Sequence, residues 1–509
     1  MTAASALALS LLIPLAGAIG IALTGRNPNL REGVTLITAL ALFADVLWLL
    51  GAHLAGGPQP ALMIGEVMPG LTLALSIEPL GMMFGMIASG LWILNSFYSI
   101  GYMRGNNEHK QTRFYVCFAI AICSALGVAF AANMFTLFIF YEVLTISTYP
   151  LVAHKETPEA RAGGRTYLGI LIGTSIGLQM VAIVWTWVAT GTLDFTKGGI
   201  ISGKVAEGLV PVLLALYMFG IGKAALMPFH RWLPAAMVAP TPVSALLHAV
   251  AVVKAGVFTV MKVVVYIFGV DFLASTGAAN WLVWVAAFSL LAASIVAMTK
   301  DNLKARLAYS TVSQLSYITL GAALATSMGV IGGSMHIAMH AMGKITLFFC
   351  AGAIYTATHK TEISDMDGLG RVMPFTYAAF LIGALSVIGL PPMGGSWSKW
   401  YLMLGAADAD QLIMIGVLMV SSLLNVAYLL PVVGRGFFAR PAADPHHVPH
   451  GAPQPQSVGA AAAPPAAGSG IREAPLFCVV PLCLTALGCV VLFIYADALY
   501  GLLAPLAGR

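Results

Sequence analysis

The chain has 509 residues, of which 59% are hydrophobic and only 9% are charged, and its formal net charge is +5. Water-soluble domains carry about 25% charged residues, so this composition excludes a water-soluble protein. Apolar runs of about 20 residues recur, which is the length a helix needs to cross a bilayer. Strands of a membrane barrel would alternate in polarity over about 10 residues, and these runs do not. The sequence therefore predicts an all-α polytopic membrane protein whose surroundings are lipid, with no nucleic-acid partner.

Fourteen candidate transmembrane helices follow one another along the chain. Their predicted bounds are 4–24, 33–55, 79–103, 114–131, 133–152, 166–191, 209–230, 241–269, 279–299, 306–326, 329–357, 373–403, 411–437 and 475–503. Residues 438–474 are rich in Pro, Ala and Gly and are interpreted as a flexible cytoplasmic linker. The histidines of this linker, His446, His447 and His450, could hold a metal, but a solvated loop explains them better. The six cysteines lie in apolar runs without ligand spacing, so neither a metal nor a cofactor is predicted.

The basic residues predict how the chain is oriented. Seventeen Lys and Arg fall in one set of alternate loops and three fall in the other set. By the positive-inside rule, the loops rich in Lys and Arg are cytoplasmic. We therefore expect a multi-pass protein of the cell inner (plasma) membrane with both termini on the periplasmic or extracellular side.

Several ionisable side chains lie inside the apolar runs. Four lysines are deep in predicted helices: Lys223, Lys254, Lys344 and Lys399. A charged group at such depth costs about 2.5–3.5 kcal/mol, so these lysines require partners or a function. Glu142 is central in the fifth helix and His248 lies in the eighth. Lys262 is nearer a helix end, where its ammonium could reach the interface, and Asp45 in the second helix receives no role.

Three titratable residues share one stripe of the eleventh helix. His336, His340 and Lys344 are spaced i, i+4 and i+8, so successive groups are about 6 Å apart along the axis. One or two waters can bridge that distance, and histidine both accepts and donates protons near neutral pH. Two alternatives are a metal site, which lacks a carboxylate or cysteine nearby, and interhelical hydrogen bonding. A hydrated proton relay explains two histidines and a lysine together.

Two of the predicted helices are interrupted by Pro and Gly, and each carries a buried lysine. Lys223 lies in GIGKAALMPFHRWLP and Lys399 lies in GLPPMGGSWSKW. Broken helices in corresponding halves of a chain are typical of inverted-repeat transporters. We expect two inverted five-helix repeats, helices four to eight (114–269) and nine to thirteen (279–437), with helices seven and twelve broken. An N-terminal three-helix segment (1–110) precedes them, and a C-terminal helix (475–509) follows the linker.

Five segments of the sequence resemble the antiporter-like subunit family shared by respiratory complex I and the Mrp-type multisubunit cation/proton antiporters. They are FYEVLTISTYPL, GKAALMPFHRWLPAAMVAPTPVSALLHA, KDNLKARLAYSTVSQLSYITLG, HIAMHAMGK and GLPPMGGSWSKW. The resemblance runs from about residue 75 to 435. It implies a fourteen-helix subunit with two inverted repeats and a hydrated polar axis in mid-membrane.

The resemblance also assigns positions to the buried ionisable residues. Glu142 matches the glutamate of the fifth helix and Lys223 the lysine of the seventh. Lys254 matches a basic residue of the eighth helix, and Lys399 the terminal charged residue of the twelfth. The stripe of the eleventh helix matches the family's histidine and lysine positions; its members are His336, His340 and Lys344.

The resemblance predicts a non-enzymatic proton-translocating subunit of a multisubunit Na⁺/H⁺ antiporter, with other membrane subunits, protons and Na⁺ as partners. Lys399 favours the Mrp D-type subunit, whereas LLHAVAVVKAG around His248 is more similar to the A-type or to the distal complex I subunit. The alternative is the proton-pumping subunit of complex I or of a membrane-bound hydrogenase. We expect Glu142 and Lys223 to form an ion pair whose opening sends a proton along the remaining residues to Lys399.

Overall fold

The computed structural model describes residues 2–56, 60–440 and 470–507. The linker histidines, His446, His447 and His450, lie outside the described residues. Within the described part, eleven helices are long and apolar enough to cross a membrane. The other three predicted crossings correspond to the more polar tenth helix and to the two broken helices. The predicted fourteen-helix arrangement is therefore confirmed.

The helices are labelled in chain order so that they match the predicted crossings. The first seven are α1 (Ala3–Leu23), α2 (Pro28–Leu54), α3 (Pro79–Gly105), α4 (Gln111–Ala129), α5 (Met134–Val152), α6 (Pro158–Thr190) and α7 (Val210–Gly220). The next seven are α8 (Thr241–Phe268), α9 (Asn280–Met298), α10 (Leu303–Ala323), α11 (Ser327–Thr358), α12 (Pro374–Ile388 as α12a and Gly395–Asp408 as α12b), α13 (Leu412–Phe438) and α14 (Leu476–Ile494). Short helices at Trp232–Ala235, Val270–Thr276 and Leu369–Val372 connect some of them.

Two features were not predicted. A β-hairpin, β1 (Ala61–Met68) and β2 (Leu71–Ser76), follows α2. The predicted last helix, 475–503, is two helices, because α14 ends at Ile494 and a short helix α15 (Ala496–Leu503) begins after Tyr495. An uninterrupted apolar run does not reveal such a bend.

The two repeats share a polar cap at the start of their second helix. Asn133 accepts a hydrogen bond from the Thr136 N–H at the beginning of α5, at 2.8 Å. Asn302 does the same for the Ala305 N–H at the beginning of α10, at 3.1 Å. Asparagine is among the residues that best satisfy the free N–H groups of a first helical turn. Both helices therefore begin at an asparagine that follows a short turn.

The same asparagines also mark a backbone bridge that the repeats have in common. Asn133 pairs in antiparallel fashion with Asp194, after α6, and Asn302 pairs with Glu362, after α11. The flanking hydrogen bonds occupy the same register in both repeats: Met134 N–H to Leu193 O and Phe195 N–H to Ala132 O, then Leu303 N–H to Thr361 O and Ile363 N–H to Asp301 O. Five crossings, α5 to α9, separate Asn133 from Asn302, so the two bridges lie on opposite faces. This is the arrangement expected of inverted repeats.

Both predicted breaks are present, and the freed backbone groups find partners. After α7, the Gly222 carbonyl accepts a hydrogen bond from Trp232 Nε1 at 2.9 Å. Between α12a and α12b, Gly389 has φ +90°, and a Cβ there would lie 2.6 Å from Lys399 Cδ. Irregular backbone is tolerated at membrane depth where protein satisfies it. Each break thus holds a buried lysine inside the bundle.

Candidate functional site

The lysine at the α7 break is held by the neighbouring helix α5. Lys223 is fully buried, and its Nζ donates hydrogen bonds to Tyr141 O at 2.8 Å and to Thr145 Oγ1 at 2.5 Å. The same Nζ lies 3.1 Å from the centroid of the Tyr141 ring. The backbone N–H of Lys223 donates to the Tyr141 hydroxyl at 3.2 Å. Carbonyl, hydroxyl and ring surface together stabilise a cation at this depth.

Glu142 follows Tyr141 on α5 but does not bond to the lysine. Both carboxylate oxygens are buried, and neither has a hydrogen-bond partner among the described residues. The expected ion pair is therefore open in this conformation, with the lysine turned towards Tyr141 and Thr145.

The eighth and eleventh helices meet at a lysine and a histidine. Lys254 Nζ lies 2.5 Å from His340 Nδ1, and both side chains are buried. Only one proton can occupy a hydrogen bond between an amine and an imidazole nitrogen, so this contact suits proton exchange. Since Lys254 belongs to the first repeat and His340 to the second, the contact joins the two halves of the molecule.

The histidine stripe continues from this junction to α12b. The ring centroids of His340 and His336 are 5.9 Å apart, as the helical spacing predicts. His336 Nδ1 lies 2.8 Å from Ser398 Oγ, and its Nε2 lies 3.0 Å from Gln314 Oε1. Ser398 immediately precedes the terminal lysine. The stripe therefore leads directly to the second broken helix.

The last lysine reaches back across the break in its own helix. Lys399 Nζ donates to the carbonyl of Ile388, the final residue of α12a, at 2.9 Å. It also donates to Ser422 Oγ at 3.1 Å and to the Tyr317 hydroxyl at 3.4 Å. Lys399 lines a cavity of about 620 Å³ between α12 and α13. The lysine thus connects the buried axis to this cavity.

Two predicted site residues lie off the line of direct contacts. Lys344 Nζ donates to Ser310 Oγ at 2.6 Å and to Leu307 O at 3.3 Å, so it turns towards α10 and away from His340. Neither ring nitrogen of His248 has a hydrogen-bond partner in the part of the chain that the structure describes. Its ring packs 4.5 Å from that of Phe348.

Several polar residues of the site were missed by the sequence analysis. Tyr141, Thr145, Ser310, Gln314 and Tyr317 hold the lysines and histidines in place. The sequence does contain a pattern that could have identified Ser310, Gln314 and Tyr317. They are spaced i, i+4 and i+7 on α10, so they form one polar stripe on that helix. That stripe faces the histidine stripe of α11.

The lysine near the end of α8 does not reach the interface. Lys262 is 1% exposed and forms an ion pair with Glu78. Aromatic rings surround its Nζ, with Phe195 at 4.0 Å and Tyr266 at 4.9 Å. Asp45, on α2, is also buried, and neither of its oxygens has a partner within the described ranges.

Comparison with known proteins places the chain in a family. Residues 131–425 match the model of the transmembrane family described as NADH:quinone oxidoreductase/Mrp antiporter. The NADH-quinone oxidoreductase subunit N of Desulforudis audaxviator (strain MP104C) is 30% identical over 96% of this chain and 95% of its own length. A protein of Rhizobium meliloti (strain 1021) that is named as a probable K⁺/H⁺ antiporter component is 30% identical over 88% of this chain, which spans 45% of that protein.

A solved structure has the same fold. A chain of the Mrp complex from Dietzia sp. DQ12-45-1b superposes with a TM-score of 0.86 and 22% identity, over 100% of this chain and 97% of that one. The matched family region contains both broken helices and every residue of the polar axis described above. The chain belongs to the NADH:quinone oxidoreductase/Mrp antiporter family and is an antiporter-like membrane subunit.

Proposed function

We propose that this chain is the proton-translocating, D-type subunit of a multisubunit Na⁺/H⁺ antiporter. The observation that carries the proposal is the Lys254–His340 contact at 2.5 Å, which links the ionisable groups of both repeats. A subunit that served only as a scaffold would have no use for a succession of buried lysines and histidines. The route runs from Glu142 and Lys223 through Lys254 and the histidine stripe to Lys399.

The first step is the opening and closing of the Glu142–Lys223 pair. In the closed form the carboxylate stabilises the ammonium, whereas in the open form Lys223 relies on Tyr141 and Thr145. Loss of the carboxylate leaves a buried ammonium with neutral partners only, which favours release of its proton. The proton then moves along the axis, and Glu142 attracts the next one.

The later steps use groups that exchange protons over short distances. Lys254 passes a proton to His340, and water bridges the 5.9 Å between the centroids of the two histidine rings. Ser398 carries it onward from His336 to Lys399. His248 and Lys344, which lie on the same helices as Lys254 and His340, are further proton carriers beside this line.

The chain would work as one member of a complex in the cell inner membrane. We assign the faces rich in Lys and Arg to the cytoplasm, which places both termini on the periplasmic side. Other membrane subunits would supply the Na⁺ pathway and accept the proton from Lys399. We propose five parts: an N-terminal three-helix segment (1–110), the two repeats (114–269 and 279–437), the linker (438–474) and a C-terminal helix (475–509).

One observation supports a second candidate function. The relative named NADH-quinone oxidoreductase subunit N is matched over 95% of its length, whereas the antiporter relative is matched over 45%. The same axis could therefore serve as the proton-pumping module of a redox complex. In that case the redox chemistry would belong to other subunits.

The Glu142→Gln variant tests the proposed route. It keeps the shape of the side chain but cannot stabilise Lys223 as an ion pair, so proton transport should fall by about 100-fold or more. Lys399→Ala should stop transport as well. Proton movement is followed with a pH-sensitive dye in everted vesicles that contain the assembled complex, and co-purification of the other subunits verifies assembly. Wild-type transport by assembled Glu142→Gln would refute the route.

The cation is tested in the same vesicles. An antiporter should dissipate an imposed pH gradient when Na⁺ is added and should do so without a redox substrate. If the pH gradient forms only while a quinone is reduced and Na⁺ has no effect, the redox-complex candidate replaces the antiporter.

A further inference from the structure

The proposed route makes no use of α13, yet this helix carries a set of polar side chains that faces the axis. We call Ser421, Ser422, Asn425 and Tyr428 the α13 ladder. Ser421, Asn425 and Tyr428 are buried, whereas many apolar residues of the same helix, such as Leu423, are exposed on the outer surface of the bundle. A helix that turns its polar side chains inward and its leucines outward presents the ladder to the bundle interior.

One end of the ladder contacts the neighbourhood of Lys344. Lys344 Nζ donates to Ser310 Oγ at 2.6 Å. The Tyr428 hydroxyl lies 2.9 Å from the same Ser310 Oγ. Three groups from α11, α10 and α13 therefore form a continuous chain of direct hydrogen bonds.

The middle of the ladder can change its direction of donation. The Tyr428 hydroxyl contacts Asn425 Oδ1 as well as Ser310 Oγ. A tyrosine hydroxyl carries one proton, so it donates to one of these oxygens at a time. When the Tyr428 hydroxyl donates to Asn425 Oδ1, the Ser310 hydroxyl is free to donate to Tyr428. All hydrogen bonds from Lys344 through Ser310 and Tyr428 then point away from Lys344.

The other end of the ladder contacts Lys399. Lys399 Nζ donates to Ser422 Oγ and to the Tyr317 hydroxyl. The Lys399 ammonium therefore joins a hydroxyl of α13 to a hydroxyl of α10. The ladder thus begins at one predicted lysine and ends at another.

We propose that the α13 ladder is a second arm of the proton route, parallel to the histidine stripe, which connects Lys344 with Lys399. The inference rests on the proposed function, since it extends the same polar axis. The histidine arm passes through His340, His336 and Ser398, and both arms reach Lys399.

Proton transfer along this arm conserves every hydroxyl. The Lys344 ammonium donates its proton to Ser310 as the Ser310 proton moves to Tyr428. The Tyr428 hydroxyl then turns from Asn425 Oδ1 to a bridging water and gives its original proton to that water. The water passes one of its own protons to Tyr317, whose hydroxyl proton moves to the neutral amine of Lys399. Each hydroxyl gains one proton and loses one, and Asn425 orients the Tyr428 hydroxyl without changing its own protonation.

Interhelical hydrogen bonding alone explains the ladder less well. Asn425 Nδ2 and Ser421 Oγ are buried and have no partner with acceptable geometry among the described residues. An unsatisfied buried polar group costs about 1–3 kcal/mol, which a purely structural contact would avoid. Groups that bind a bridging water in the working protein do not bear that cost.

The test measures proton transport by Tyr428→Phe in vesicles with the assembled complex. The substitution removes the hydroxyl and keeps the ring, so transport should fall about two- to tenfold, as for the loss of one hydrogen bond. In a His336→Phe background, where the other arm is cut, the same change should abolish the remaining transport. A hydroxyl with a merely structural role would give the same relative effect in both backgrounds.

Two matched substitutions control for packing. Tyr377 is a buried tyrosine of α12a whose hydroxyl has no hydrogen-bond partner in the described ranges, so Tyr377→Phe should transport as the wild type does. Asn425→Leu, which is nearly isosteric, should lower transport about as much as Tyr428→Phe does in each background, whereas Asn425→Ser, which keeps a polar group, should recover most of that loss. This pair keeps the proposal testable if Tyr428→Phe fails to assemble.

The outcomes separate the ladder from the function on which it rests. If Tyr428→Phe and Asn425→Leu transport normally in both backgrounds while Glu142→Gln is inactive, the ladder is not a proton arm and the main route stands. If Glu142→Gln is itself active, the main route fails. Partial loss in Tyr428→Phe with complete loss in the double variant supports two arms.

Discussion

At the scale of single residues, the buried lysines differ in the groups that hold them. Lys223 contacts a carbonyl and a hydroxyl, and Lys254 contacts an imidazole nitrogen. Lys262 instead pairs with the carboxylate of Glu78. A neutral partner lets a lysine release its proton, whereas a buried carboxylate holds the proton in place. The first two are therefore suited to transport and Lys262 to stability.

This difference predicts the effect of Lys262→Met. The change leaves Glu78 as an unpaired carboxylate close to aromatic rings, and breaking a buried pair in this way costs about 3–5 kcal/mol. The melting temperature of the purified complex in detergent should fall clearly. The double variant Glu78→Gln with Lys262→Gln removes both charges and should recover most of that loss. An unchanged melting temperature in Lys262→Met would contradict the structural role.

The sequence predicts the ionisable residues of the site but not their hydroxyl partners. Lysines, glutamates and histidines inside apolar helices are conspicuous because they are costly there. Serines and threonines are not, since many bond the backbone of their own helix, as Thr259 does with Ala255 O. Which hydroxyl turns towards a neighbouring helix, as Ser310 does towards Lys344, depends on packing that one helix alone does not determine.

At the scale of the elements, close packing of α8 positions the α7 break. A Cβ at Gly256 of α8 would lie 2.3 Å from the backbone carbon of Lys223. Glycine therefore allows the helix to contact the irregular peptide that carries the lysine. The sequence predicts both breaks from Pro and Gly, but it does not reveal the bend at Tyr495, because the apolar run continues through it.

Gly256→Ala should consequently displace Lys223. Overpacking of this kind costs about 1–3 kcal/mol, and the shift should reduce proton transport even in complexes that still assemble. Gly169→Ala on α6 is the matched control, because no atom lies within 4 Å of a Cβ at that position. Thermal unfolding and dye-reported transport measure the two effects. If Gly256→Ala and Gly169→Ala had the same thermal stability and the same proton transport, the close contact between Gly256 and Lys223 would have no role.

At the scale of the whole molecule, two repeats with matching backbone registers share one buried polar axis. The bridges at Asn133 and Asn302 occur in the same position of each repeat, although the sequences around them are not alike. The sequence therefore predicts the repeats from the order of their helices and from the positions of the breaks. It does not predict the contact between Lys254 and His340, since that depends on how the repeats pack together.

The proposed proton route depends on the contact between Lys254 and His340, which connects its two halves. Lys254→Met should abolish proton transport in proteoliposomes that contain the assembled complex and a trapped pH-sensitive dye. Thr259→Val is the matched control, since its hydroxyl lies on the same helix and bonds the Ala255 carbonyl; this variant should transport normally. Loss of flux in Lys254→Met with normal flux in Thr259→Val is the predicted result, and wild-type flux in assembled Lys254→Met would contradict a single route through both repeats.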